Sequence, residues 1–123
     1  MKITQIQLFK AGAICALLIG FCMPASRVYA AAAQSVTGEV VDLMCYLDHG
    51  AKGDKHASCG TKCISSGGPV GVLTADNQLY LVIGAHKPMN AQLAPFAAKT
   101  VTLKGKIVER NGVKMIENAE IQK

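Results

Sequence analysis

Five stretches of the chain downstream of residue 35 have the pattern of β-strands, and apolar and polar residues alternate most clearly over residues 36–43 and 100–110. Successive side chains of a strand point to opposite faces, so this alternation indicates half-buried β-strands. The five stretches are residues 36–43, 70–74, 78–83, 100–110 and 113–121. Gly38 and Gly105 interrupt the first and fourth stretches at points where a strongly curved strand would bend. The pattern therefore predicts a small, mainly β domain.

The segments between these stretches indicate how the strands connect. Asn111-Gly112, between the last two, is the strongest short hairpin signal that a sequence offers. Residues 91–99 predict one short helix, which Pro95 limits. Five strands with a helix between the third and fourth resemble the OB-fold, a partly open Greek-key barrel. We expect an all-β, OB-fold-like barrel with one short helix and a cysteine-rich segment after the first strand. An SH3-like barrel or a small sandwich is the alternative.

The first thirty residues have the composition of a secretory signal peptide. Lys2 and Lys10 precede an apolar stretch over residues 11–22, and small residues stand before a cleavage site after Ala30. The apolar stretch is shorter than the roughly 20 residues of a transmembrane helix. A retained anchor, or a lipoprotein modified at Cys22, is the alternative. We expect a signal peptide over residues 1–30, a mobile leader over 31–35 and one domain over 36–123. The location is then periplasmic or secreted, with no membrane anchor after cleavage.

Removal of the signal peptide changes the charge of the chain. The whole sequence has 13 Lys+Arg and 8 Asp+Glu, but three of the basic residues lie in the signal peptide. The remainder has 10 basic and 8 acidic residues, a net charge of +2, which does not favour a nucleic-acid ligand. Its aromatic residues, Tyr46, Tyr80 and Phe96, are too few for a base-stacking platform. No catalytic motif is recognisable, and the expected partner is at most another protein of the periplasm.

Residues 45–63, which we call the cysteine segment, contain the three cysteines that remain after cleavage. Three residues separate Cys45 from His49, and three separate Cys59 from Cys63. This spacing lies in the range that zinc sites use, and thiolates with an imidazole also suit Cu(I). The spacing predicts a copper or zinc site with Cys45, Cys59 and Cys63 as ligands.

Two histidines compete to complete this site. His56 stands three residues before Cys59 and seven before Cys63, so one helix would place the three on a single stripe. His49 is spaced correctly for Cys45 but needs the glycine-rich segment to fold back. We favour His56.

A disulfide without any metal is the competing hypothesis. A bond from Cys45 to Cys59 or Cys63 would contribute about 3 kcal/mol in the chain-entropy model. The odd number of cysteines would leave one free thiol, in an oxidising compartment. The protein would then be a disulfide-stapled binding or adaptor domain. Under both hypotheses Asp42, Asp48 and Asp54 are expected to be turn and capping residues, and Met44 a core residue.

Two motifs resemble those of small secreted bacterial domains of uncharacterised function with an OB-like fold. The first is Gly-x-Val-x-Asp-x-x-Cys, which runs here from Gly38 to Cys45. The second is His-x-x-Cys-x-x-x-Cys, which runs from His56 to Cys63. The resemblance implies a secreted domain with a cysteine site and implies no particular activity.

Overall fold

The computed structural model describes residues 32–123. The predicted signal peptide and its cleavage site lie outside the described residues. Within residues 32–123, the helices are all too short or too polar to cross a membrane.

Five strands form a closed barrel, as the alternation of apolar and polar residues predicted. Their bounds are β1 (Gln34–Asp42), β2 (Val70–Leu73), β3 (Leu79–Val82), β4 (Thr100–Arg110) and β5 (Val113–Ile121). Around the barrel the order is β1-β2-β3-β5-β4, with β4 pairing again with β1. The β3–β5 pair is parallel and the other pairs are antiparallel. The prediction of an all-β, OB-fold-like barrel is therefore confirmed.

The first strand begins earlier than the sequence indicated. Gln34 and Ser35, which we expected in the leader, pair with Gly105 and Lys104 of β4. Polar side chains at both positions are exposed and gave no apolar signal, so only the backbone pairing assigns them to the strand.

Gly105 permits close packing within the β4–β5 pair. The register between these strands shifts between Lys104 and Lys106, which marks a bulge. A Cβ atom at position 105 would lie 2.6 Å from Ile116 Cγ2 and 2.8 Å from the Glu117 carbonyl oxygen. The strand therefore bends at a glycine, as the sequence pattern indicated.

The cysteine segment is more helical than we predicted. Helix α1 (Leu43–His49) follows β1 directly, and a 3-10 turn (Asp54–His56) leads into α2 (Ala57–Ser65). The helix predicted over residues 91–99 is instead α3 (Asn90–Leu93) followed by a 3-10 turn (Ala94–Phe96). Glycines at 50, 53 and 60 argued against helices in this segment. However, Gly50 caps the C-terminus of α1 and Gly53 precedes the 3-10 turn, so that only Gly60 lies inside a helix.

The prediction that Met44 is a core residue is wrong. Its side chain is 67% exposed, whereas we expected it in the core. The expectation assumed that the strand continues past Asp42, but α1 begins at Leu43 and turns the next side chain outward. Leu47, one helical turn later, is also exposed, at 71%.

The core joins the barrel to the helices. Ile64 of α2 and Leu93 of α3 are fully buried among barrel residues. The fully buried barrel residues are Val40, Val72, Val82, Leu103 and Ile116. Burying a side chain of this size stabilises a fold by about 1.5–3 kcal/mol. Ile64 therefore anchors α2, and with it Cys59 and Cys63, to the barrel.

Candidate metal site

The cysteine segment leaves the barrel and returns to it at the same place. Asp42, the last residue of β1, pairs with Val70, the first residue of β2. The next residues along the chain continue this contact, since the Leu43 backbone N–H donates a hydrogen bond to the Pro69 carbonyl oxygen at 2.9 Å. Helices α1 and α2 are therefore held at one end of the barrel, and residues distant in sequence meet there.

Three sulfur atoms converge between these helices. The Sγ atoms of Cys45, Cys59 and Cys63 all lie within 4.8 Å of one another. Cys59 and Cys63 are four residues apart on α2, so they share one face of that helix. Cys45 comes from the first turn of α1. Within residues 32–123 all three cysteines are free thiols, which is compatible with metal binding.

Asp42 fixes the helix that carries Cys45. Its Oδ1 accepts a hydrogen bond from the Cys45 backbone N–H at 2.8 Å, which caps the N-terminus of α1. The capping role predicted for Asp42 is confirmed. The Asp42 side chain is only 4% exposed, and its other oxygen, Oδ2, is buried and accepts no hydrogen bond of normal geometry from the described residues.

Gly68 is what makes room for this carboxylate. A Cβ atom at position 68 would lie 2.8 Å from Asp42 Oδ2 and 2.8 Å from the Cys63 carbonyl oxygen. The Gly68 N–H donates a hydrogen bond to that same carbonyl at 2.9 Å. Asn90 holds the end of α2 from the other side, since its Nδ2 donates to the Ile64 and Gly68 carbonyl oxygens at 2.8 and 2.7 Å.

The thiols and Asp42 influence one another electrostatically. Hydrogen bonding of the thiol with the Asp42 carboxylate raises the pKa of Cys45 to about 12, and desolvation and the carboxylate charge act in the same direction. Hydrogen bonding with Cys59 raises the pKa of Cys63, desolvation and the Cys59 and Asp42 charges act in the same direction, and hydrogen bonding with Cys45 opposes them in part. A nearby cation would reverse this preference for the protonated thiols, because it favours thiolates.

The two candidate histidines occupy different positions. His56 lies at the end of the 3-10 turn before α2, and it lines a cavity of about 20 Å³ with Asp42, Cys45 and Cys59. His49 is exposed, and its Nδ1 lies 3.1 Å from Asp48 Oδ2. The two imidazole rings are 6.2 Å apart between centroids. Neither ring nitrogen belongs to the group of ligand atoms within 4.8 Å of one another, so the choice of histidine stays a prediction.

The loop between the helices folds back against β1. The Gly53 backbone N–H donates a hydrogen bond to Glu39 Oε1, and Ala51 is buried, with its N–H bonded to the Cys45 carbonyl oxygen at 3.3 Å. This return of the glycine-rich loop brings His49 and His56 to the same side of the molecule.

The sequence predicted a capping role for Asp42 but not its position beside the thiols. The signal was present as the Asp-x-x-Cys spacing, because an N-cap side chain bonds the backbone N–H two or three residues later. Without the knowledge that a helix begins at Leu43, the same spacing fits a continuing strand, in which Asp42 would face away from Cys45.

Comparisons of the chain with protein families, with curated proteins and with solved structures gave no match.

Proposed function

We propose that this protein binds a copper or zinc ion through the thiolates of Cys45, Cys59 and Cys63, in a structural or metal-handling role. The convergence of the three sulfur atoms carries the proposal. Sulfur ligands around one tetrahedral zinc ion, at about 2.3 Å each, are separated by roughly 3.8 Å, which falls inside the observed limit. The barrel and Ile64 hold these atoms together without a bond between them.

A nitrogen ligand would complete the coordination sphere. His56 is the better placed, because it lines the same cavity as Cys45 and Cys59. His49 is exposed and paired with Asp48, and it is not among the residues that line that cavity. We propose His56 as the fourth ligand and His49 as its alternative.

Export remains part of the proposal and rests on residues 1–30 alone. In an oxidising compartment an uncoordinated thiol triad would be open to disulfide formation. Coordination protects thiolates from that reaction, which gives a metal ion a role in the stability of the site. The second candidate function, a disulfide-stapled binding or adaptor domain, requires two of these thiols to be bonded, whereas the structure has all three free.

Native mass spectrometry of the protein purified from a periplasmic extract tests the proposal. We expect one copper or zinc ion per chain, which acid or a chelator removes, and three alkylatable thiols after its removal. The variant Cys59→Ser removes one proposed ligand and should weaken metal binding. Ser58→Ala, at the neighbouring exposed position, is its control and should leave metal binding unchanged. A metal-free mass that is lower by two hydrogen atoms, with no uptake of either ion after reduction, would contradict the proposal and support the disulfide.

A further inference from the structure

Asp42 carries a buried negative charge at the edge of the thiol triad. Its side chain is 4% exposed, and it lines the small cavity shared by Cys45, His56 and Cys59. Only one of its two oxygens, Oδ1, is used in capping α1. The second oxygen, Oδ2, is buried and accepts no hydrogen bond of normal geometry from residues 32–123.

Among residues 32–123, no Lys, Arg or His side chain forms an ion pair with this carboxylate. The ion pairs found among the described residues are His49–Asp48 and Lys106–Glu117, and neither involves Asp42. Lys52 lines the same cavity, but its side chain is exposed and forms no ion pair with Asp42. A buried carboxylate without a cationic partner is costly, whereas a capping residue needs no charge, since Asn and Ser cap as well. Capping alone therefore does not explain an aspartate here.

The charge of the metal site depends on the ion that it holds. Three thiolates around Zn²⁺ have one net negative charge, and the same thiolates around Cu(I) have two. The Asp42 carboxylate repels the second arrangement more strongly, because the interaction grows with the charge and the surroundings are only partly hydrated. A neutral imidazole ligand would not change this difference.

We propose that Asp42 is a specificity-determining residue, whose buried carboxylate makes the thiol triad favour a divalent over a monovalent ion. This inference rests on the proposed function and deepens it, since it assigns the site to ions of the Zn²⁺ class. Hard oxygen donors also suit Zn²⁺ better than Cu(I), so direct contact of Oδ2 with the ion would act in the same direction.

The test is the ratio of Zn²⁺ and Cu(I) affinities, each measured by competition with a chelator of known affinity. Asp42→Asn keeps the cap and the volume of the side chain but removes the charge. We expect the ratio of Zn²⁺ to Cu(I) affinity to fall by about 10–100-fold, as loss of one unit charge near the ion predicts. Asp48→Asn is the matched control, because it removes the same charge from an 86% exposed side chain on the same helix and should leave the ratio unchanged.

A second variant keeps the test decisive if Asp42→Asn does not fold. Asp42→Ser also removes the charge and keeps a capping oxygen, and circular dichroism establishes which of the two variants folds. An unchanged ratio in a folded variant, or an equal fall in Asp48→Asn, would overturn the inference and leave the metal site standing. If the unaltered protein binds neither ion, the proposed function itself fails, and the inference fails with it.

Discussion

The Oδ1 atom of Asp42 accepts a hydrogen bond from the backbone N–H of Cys45, at 2.8 Å. This single contact ends the strand β1, begins the helix α1 and places the Cys45 thiol beside a carboxylate. The barrel, the helix and the candidate metal site are therefore connected through one side chain.

The two functions of the Asp42 side chain can be separated by substitution. In the metal-free, reduced protein, Asp42→Asn should be more stable than Asp42→Ala by about 1 kcal/mol, because only Asn retains the N-cap. Asp42→Asn should be at least as stable as the unaltered protein, since it removes a buried charge that forms no ion pair with the described residues. Denaturant unfolding in the presence of a chelator measures both differences. Equal stability of the Asn and Ala variants would show that the cap contributes nothing.

The reactivity of the thiols should follow their surroundings. The thiolate is the reactive form, and the pKa of Cys45 is raised to about 12, so Cys45 should be alkylated last at about pH 8. Cys59 is exposed and should be alkylated first. Iodoacetamide labelling of the metal-free protein, followed by peptide mass spectrometry, gives the order, and Asp42→Asn should accelerate Cys45 selectively. Labelling of Cys45 as fast as Cys59 would contradict the prediction.

The same raised pKa sets the sign of a stability change with pH. Folding favours the protonated Cys45 thiol, so its contribution is fully present below the ordinary thiol value of 9.0 and decreases as the pH rises towards about 12. Thermal unfolding of the metal-free protein should show a loss of stability across that window. The loss should be smaller in Asp42→Asn, because the principal cause of the shift has been removed.

The histidines should differ in their effect on metal affinity. His56→Ala should weaken binding by at least the roughly 10–100-fold that loss of an outer-shell group costs, because we propose His56 as a ligand. His49→Ala should have little effect, because its ring is exposed and paired with Asp48. Both affinities must be measured at one pH, since protons compete for the same ligands. A loss in His49→Ala alone would assign the ligand to His49, and no loss in either would exclude both.

The close approach at Gly68 should make it intolerant of a side chain. Gly68→Ala should lower the free energy of unfolding by about 1–3 kcal/mol, because its Cβ would meet Asp42 Oδ2 and the Cys63 carbonyl oxygen, both at 2.8 Å. Metal affinity should fall as well, since both neighbours belong to the site. Ser65→Ala, three residues earlier and exposed, is the control and should change stability by less than about 0.5 kcal/mol. Similar stability of the two variants would contradict the predicted clash.

The sequence was most informative where the pattern of apolar residues is strict. Both bounds of β4 and β5 agree with the prediction, because alternation and the Asn111-Gly112 turn determine the strands together. The helices of the cysteine segment were not predicted. They are too short to show an apolar periodicity, and α2 buries only Ile64, which is a tertiary contact that no local pattern reveals.

The convergence of the cysteines was predictable, but the full set of groups around them was not. The spacing of Cys59 and Cys63 is local, and a helix satisfies it directly. Cys45 lies beside that pair because β1 pairs with β2, so that the chain re-enters the barrel at Val70, next to Asp42 where it left. The position of Asp42 depends on the same register and on the space left by Gly68.

The three thiols differ in their access to solvent, because Cys59 is exposed whereas Cys45 and Cys63 are half-buried. An ion in this site would be shielded by the protein on one side and open to incoming ligands at Cys59. A thiolate from another molecule could then attach to the ion before any of its original bonds break, so transfer would not require the free ion in solution. All three thiolates would contribute to how tightly the site holds its ion, whereas the route by which the ion is passed on would be set by the exposed one.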